Sequence, residues 1–335
     1  MMKLTTLWSV DQTFSSDGRS PIADQFACRW QHDPGSLRFF RSSANFIYLL
    51  HRNGQRAFLR AASSHERSHE QIAHELEILN ALRRAGVPVV QALPSDKGSL
   101  LETIETEIGP FHVVLFDGIS GQPRDVSDLT PDDYRHWGAA VGRIHAALAT
   151  LPPELNTKPS SWERCLGRIE SRSAHLPSSI ILEAARLRAL LSALPQTDET
   201  SGLLHGDPEL DNLIWGDDGI AALDFDEYSA GWYMLDLAKA LSEPLEEGHT
   251  LESPKLSAFI DGYRQQHSLS DESLAMLPDF ISLAGMNDYA SLARAIDIAA
   301  NEAPVDWMRD LISRPRTWMS TYEERCAVRH AAKIS

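Results

Sequence analysis

Positive charge is scarce in this chain: 31 Lys and Arg stand against 47 Asp and Glu, a net charge of −16. No basic run of five or more occurs, so neither a nucleic acid nor an anionic membrane finds the cationic footprint it needs. Cysteine is scarcer still. Cys28, Cys165 and Cys326 lie far apart with no CxxC pair, which suits reduced thiols in a cytoplasmic protein and not a disulfide frame. No apolar run approaches the length of about 18 residues that spans a bilayer. The opening MMKLTTLWSVDQTF lacks the apolar centre of a signal peptide. Several catalytic signatures are missing as well. There is no GxSxG elbow and no GxxxxGK loop, and His65, His69 and His74 are dismissed as a zinc set on spacing.

What is present is enough apolar residue, 43% of 335, for a full core in two domains or one bilobal unit. Residues 1–35 show weak periodicity and read as a loosely attached flank or a short helix. From Leu37, LRFFRSSANFIYLLHRNGQRAFLRAA reads as three strand-like runs, with Asn53-Gly54 a hairpin turn. Ile72, Leu76, Leu79 and Leu82 recur at helical spacing before Gly86, a natural C-cap. VPVVQAL, SLLETIETEI and FHVVLFD then read as strands, giving about five antiparallel strands and one inserted helix up to Asp117. Gly118–Arg124 reads as a hinge. Beyond it, Thr130-Pro131-Asp132-Asp133 is a helix start with a capping hydroxyl, a first-turn proline and acids at the positive helix end. Further helices fit 160–172, 179–194, 232–247, 254–267 and most of 271–327. The expected class is α+β: a nucleotide-binding lobe over 1–117 and a helical lobe over 118–335 that holds the catalytic loop.

The segment Leu203–Glu227, LLHGDPELDNLIWGDDGIAALDFDE, concentrates the chemistry. Asp207 and Asn212 lie five residues apart between short apolar runs, and Asp224 follows a turn at Gly216–Gly219. Phosphoryl transfer from a nucleotide needs such a set. One carboxylate takes or orients the proton of the acceptor hydroxyl, while an amide and a second carboxylate hold Mg²⁺ against the phosphates.

These residues carry a resemblance. His205-Gly206-Asp207-Pro208-Glu209-Leu210-Asp211-Asn212 resembles the HGDxxxxN loop of the aminoglycoside phosphotransferase and choline kinase-like family, and Leu223-Asp224-Phe225-Asp226 its LDF-type metal motif. Gly138–His145 and Gly231–Leu241 are similar to two of its helices, and the looser likeness covers residues 37–300. The resemblance implies a bilobal protein-kinase-like fold and a phosphotransferase using Mg²⁺ with ATP or GTP. Asp207 would be the base, His205 a loop-orienting residue at the catalytic site, and Asn212 and Asp224 the metal ligands. A lysine for the nucleotide phosphates is missing, since none occurs between Lys3 and Lys97. Arg60 is the candidate in its place, with Glu75 as its acidic partner and Glu70 the competitor. The turn Arg41–Asn45 stands where a glycine-rich loop would cover the phosphates, with Ser42 and Ser43 offering hydroxyls and backbone N–H groups. Adenine is expected against Leu115–Gly118, bonded by backbone groups of Phe116 and Gly118.

For the acceptor, Asp226, Glu227, Trp232 and Asp236 follow the metal motif, where carboxylates and aromatics could hold a cation. His145 reads as a buried structural histidine. The expected partners are a nucleotide and a small molecule bearing a hydroxyl: an aminoglycoside, an amino alcohol or a sugar. A Ser/Thr protein kinase of the bacterial stress-kinase type and an inactive kinase-like binding module are the alternatives. Gly206 and Glu209, where typical protein kinases have Arg and Lys, favour the small-molecule reading.

Overall fold

Asn53 and Gly54 reverse the chain with φ of 54° and 76°, the paired positive values of a tight hairpin turn. Asp33 closes the turn by accepting both N–H groups, at 3.0 and 2.8 Å. The protein, represented by a computed structural model, is described over residues 1–14, 20–151, 155, 161–217, 219–299, 302–303 and 305–331. Residues 15–19 of the expected flank, residue 160 of an expected helix and residue 218 of the expected turn lie outside these.

In chain order the first elements are α1 (Leu4–Asp11), α2 (Pro21–Ala27), β1 (Arg38–Ser42), β2 (Phe46–Arg52), β3 (Gln55–Ser63) and α3 (His69–Arg84). Next come β4 (Ala92–Leu93), β5 (Glu102–Thr106), β6 (Gly109–Asp117), α4 (Pro131–Leu148), α5 (Ser161–Glu170) and α6 (Ser178–Ala193). The remainder is β7 (Ser201–Leu204), β8 (Leu213–Gly216), β9 (Gly219–Ala222), β10 (Ser229–Trp232), α7 (Tyr233–Glu246), α8 (Pro254–Arg264), α9 (Asp271–Ala275), α10 (Leu277–Ala295) and α11 (Asp306–Ala331). The mixed α+β class is as the sequence implies. Among the described residues no helix is long and apolar enough to cross a membrane.

Two compact units divide the chain. The first takes Met1–Asn80, Val90–Ile119 and Ser291–Ser313, the second Ala81–Val89, Ser120–Ala290 and Arg314–Ser335. Both are discontinuous, where a single boundary after Asp117 is expected above. The first unit is built on an antiparallel sheet in the order β1-β2-β3-β6-β4, with β5 also pairing with β6. It has six strands rather than five, and VPVVQAL contributes only Ala92 and Leu93. Period-2 alternation sends Tyr48, Leu50, Leu59, Val113 and Leu115 to one face. That face packs on Val10, Ile22, Phe26 and Trp30. The two short helices and Trp30 are therefore part of the core, a correction to the loose flank. The helices are only 8 and 7 residues long, too short for periodicity to reveal an apolar face.

In the second unit, α4 starts with the expected cap: the Thr130 hydroxyl accepts from the Asp133 N–H, and the Asp133 carboxylate accepts from the Thr130 N–H. A Cβ on Gly138 would lie 1.9 Å from the Phe259 carbonyl, and one on Gly262 2.0 Å from that of Arg135. These glycines let α4 and α8 touch backbone to backbone, which holds His145 on α4 and Tyr263 on α8 within hydrogen-bond reach.

Candidate active site

The loop after β7 hangs on one buried carboxylate. Asp236, on α7 and fully buried, accepts the N–H of His205 on Oδ2 at 2.8 Å and that of Gly206 on Oδ1 at 2.9 Å. His145 Nε2 adds a third bond to Oδ2 at 2.9 Å, and its Nδ1 meets the Tyr263 hydroxyl at 2.8 Å. Burial alone would raise the Asp236 pKa; the bond and charge of His145, then His205 and the Gly206 N–H, outweigh it and hold the carboxyl below its usual range.

His205 is buried and acts as a brace. Its Nδ1 accepts the Asp207 N–H at 3.2 Å, so the ring proton sits on Nε2 and is donated to the Leu223 carbonyl at 2.9 Å. Burial lowers its pKa and keeps it neutral. Gly206 is required on two counts: φ is +93°, and a Cβ would lie 2.2 Å from the Glu227 carbonyl.

The loop then presents Asp207. Asn212 donates its amide nitrogen to the Asp207 carbonyl at 2.9 Å and to Asp207 Oδ2 at 3.1 Å, which leaves the Asn212 amide oxygen on the other side. Asp207 Oδ1 has no hydrogen-bond donor among the described residues; the nearest cation is Lys239 Nζ at 3.6 Å. The β8–β9 hairpin supplies the third member. Its register sets Leu213 against Ala222, and the Leu223 N–H bonds the Asn212 carbonyl at 2.8 Å. Asp224 follows at once, in the left-handed region with φ 54° and ψ 64°. A non-glycine residue there is uncommon and costs about 1–2 kcal/mol, a strain that gathers at functional sites.

In the sheet unit, Arg60 and Glu75 form a two-pronged pair with N–O distances of 2.7 and 2.8 Å, both side chains buried. Glu70 is exposed at the start of α3. Arg67, which the sequence reading misses, also reaches Glu75, at 3.2 Å. The Arg60 guanidinium lies over the Phe116 ring, 4.9 Å from its centroid. Ser42 is half-buried and Ser43 exposed. The Ser43 N–H already bonds the Asn45 carbonyl, so Ser43 has its hydroxyl to offer a phosphate.

The expected backbone contacts to adenine at Phe116 and Gly118 narrow to their carbonyl groups. The Gly118 N–H is spent on the Arg56 carbonyl at 2.9 Å, and Phe116 pairs with Phe58 on one side and Ala92 on the other. Neither has a free backbone N–H to offer adenine. His65-Glu66-Arg67-Ser68-His69 does carry the HExxH order, contrary to its dismissal on spacing; geometry is what excludes it. The motif needs both histidines one turn apart on a helix, whereas His65 lies in a turn and α3 begins at His69. Glu66 is occupied by the Lys3 N–H, Thr6 and Arg294.

Two acceptor expectations are also corrected. Asp236 is spent on the loop, and Trp232 is buried, its indole N–H on the Pro195 carbonyl at 3.1 Å and its ring against Trp162 and Phe280. Asp226 and Glu227 sit in the short turn Phe225–Glu227. None of the four lines the cavity of about 470 Å³ in the helical unit. That cavity is walled by Glu209, Asp211, Lys239, Glu243, Asp288 and Tyr322, with Trp318 stacked on Tyr322 at 5.5 Å. Lys239 pairs with Asp288, while Arg325 pairs with Glu246 at the rim. Burial and the charge of Asp207 push Glu209 up to about 7. A readable signal existed on α7, where Lys239, Ser242, Glu243 and Glu246 form a polar stripe at helical spacing. Asp288 and Tyr322 are too far along the chain to be joined to it by pattern.

The chain is similar along most of its length to an amicoumacin kinase of Bacillus subtilis (strain 168), 24% identical over 288 residues, 83% of this chain and 85% of that protein. Among solved structures, amicoumacin kinase hAmiN in complex with AMP-PNP, Ca²⁺ and Ami superposes with a TM-score of 0.75 at 22% identity, over 95% of this chain and 96% of that one. A microcompartment-associated aminopropanol kinase gives 0.73 at 22% identity, over 93% and 97%. These likenesses establish a kinase-like fold. Residues 36–275 match the model of the phosphotransferase enzyme family, and the chain belongs to that family.

Proposed function

We propose that the protein moves the γ-phosphoryl group of ATP or GTP to a hydroxyl of a small amine-bearing alcohol, with Mg²⁺ as cofactor. The observation that carries this reading is Asp207: a side chain 32% exposed, with Oδ1 turned inward beside Lys239 and Oδ2 held by Asn212. In the transfer, the acceptor oxygen bonds to the γ-phosphorus, the bond to the bridging oxygen breaks, and the hydroxyl proton passes to the Asp207 carboxylate. Asn212 and Asp224 offer hard oxygens, and no three His, Cys, Asp or Glu side chains gather into a cage among the described residues. Such a set fits Mg²⁺, which takes the rest of its shell from phosphate and water. The bound ion neutralises charge on the phosphates.

Arg60 is assigned to the nucleotide phosphates, held in place by Glu75. Arg60→Met is expected to lower kcat/KM for the nucleotide about 10–150-fold, the equivalent of a charge-assisted hydrogen bond of about 1.5–3 kcal/mol. Steady-state kinetics at saturating acceptor check this; an unchanged kcat/KM removes Arg60 from the phosphate site.

The cavity supports the acceptor class. Its volume is in the usual range of small-ligand sites, about 300–1,000 Å³, and Glu209, Asp211, Glu243 and Asp288 give it a wall richer in acids than in bases. The two similar kinases are named for amicoumacin and aminopropanol. A panel of amino alcohols, aminoglycosides, neutral sugars and a generic protein substrate, read by Mg²⁺-dependent nucleotide consumption, should show turnover with amine-bearing alcohols above the others. Preference for protein would transfer the protein to the kinase alternative. No turnover with any acceptor would favour a binding module.

A further inference from the structure

The loop His205–Asn212 contains no Lys or Arg, yet a cation stands against its carboxylate. Lys239 is 8% exposed, on α7 one turn beyond Asp236. Its Nζ lies 2.8 Å from Asp288 Oδ1 on α10 and 3.6 Å from Asp207 Oδ1. Burial opposes its charge, but Asp288, Asp207 and Glu209 outweigh that and hold its pKa above the usual lysine range. Such a residue is a costly thing to bury without a use. Asp236 anchors the loop's backbone and leaves the Asp207 side chain untouched. Asn212 restrains the carboxylate through Oδ2, and Lys239 is the second restraint, acting on the other oxygen.

We propose that Lys239, fixed by Asp288, is a positioning residue that holds Asp207 Oδ1 inward and so keeps the rest of the carboxylate turned to the acceptor hydroxyl. The inference rests on the proposed reading of Asp207 as the base. A single ammonium thereby ties the base to the wall of the acceptor cavity, because Lys239 and Asp288 both line that cavity. The 3.6 Å separation is long for a hydrogen bond, so the ammonium holds the inward oxygen by charge and leaves the outward side of the carboxylate to take the proton.

The test compares Lys239→Met, Lys239→Arg and Asp288→Asn with wild type. In Lys239→Met, kcat should fall about 10²-fold, the usual effect of misplacing a reacting group by about 1 Å. KM for the nucleotide should stay within about twofold, since only the chemical step is touched. Lys239→Arg, which keeps the charge, should recover most of kcat. An unchanged kcat in Lys239→Met overturns the proposal. So does a loss that Lys239→Arg fails to recover, or one matched by an equal rise in nucleotide KM, which marks a structural role.

Crystal structures of wild type and Lys239→Met read the carboxylate directly and need no acceptor. Asp207 should turn away in the variant; an Asp207 that keeps its rotamer overturns the proposal. If wild type turns over no acceptor, the functional reading fails while the crystallographic arm still decides Lys239. Should Lys239→Met not fold, Asp288→Asn carries both arms, since the Asp288 side chain is 40% exposed. A tenfold fall in kcat is then the expected size, about 1.4 kcal/mol.

Discussion

Asp207→Asn should lower kcat by about 10²–10⁴, the range lost when a general base is removed, while nucleotide affinity changes little. The substitution keeps the side chain's shape and removes its charge and basicity. The native environment makes the comparison clean. Oδ2 already accepts from Asn212 and Oδ1 accepts from no hydrogen-bond donor among the described residues, so an amide oxygen facing Asn212 preserves the one existing bond. Lys239 keeps Asp288 at 2.8 Å, so no buried cation is stranded and the fold should hold. Single-turnover measurements with saturating nucleotide separate the chemical step from binding. A variant that transfers phosphate at the wild-type rate would sink the base assignment. A variant that loses nucleotide affinity in proportion to its rate would shift Asp207 from proton transfer to metal or phosphate binding.

How legible this was depends on distance along the chain. Asp207, Asn212 and Asp224 were readable because a loop and a hairpin carry them within one segment, and the β8–β9 register then places Asn212 beside Leu223. Glu75 could be set apart from Glu70 through the resemblance, because it lies eleven residues before Gly86, as the family's helix acid does before its G-x-P turn. That the N–H groups of Phe116 and Gly118 are already paired was not legible, because sequence shows a strand but not which edges it pairs on. The cavity was missed for a related reason: Glu209, Glu243, Asp288 and Tyr322 come from four places joined only by packing. The first 35 residues were undervalued because an apolar face two turns long looks like chance until the sheet it covers is known. The polar stripe that begins at Lys239 is readable on α7, but its apolar neighbours Leu235, Leu237, Ala238 and Ala240 do not show that Lys239 meets Asp207.

Asp236→Asn should be the most damaging change outside the reacting groups, because one side chain carries three hydrogen bonds from two parts of the chain. The carboxylate accepts the His205 N–H on Oδ2, the Gly206 N–H on Oδ1 and His145 Nε2 on Oδ2. Asparagine has a single oxygen to offer, so at least one buried N–H must face an amide NH₂ group. Breaking a buried ionic arrangement of this kind costs about 3–5 kcal/mol, a large part of the roughly 5–15 kcal/mol that holds a domain folded. Catalysis should fall as well, by about 10²-fold, since the loop presenting Asp207 is no longer fixed.

Acid titration gives a further check on the sign. Asp236 has a folded pKa below its ordinary 3.8, so its contribution is complete above that value and is lost as pH falls through the lower folded pKa. The stability gap between wild type and Asp236→Asn, measured by urea unfolding, should be constant near neutrality and close below about pH 4. A gap that persists unchanged into strong acid would mean that the charge of Asp236 is not what holds the loop. A variant as stable as wild type at neutral pH would mean that the two N–H groups find other acceptors, and that the loop's position is set by Gly206 and His205 instead.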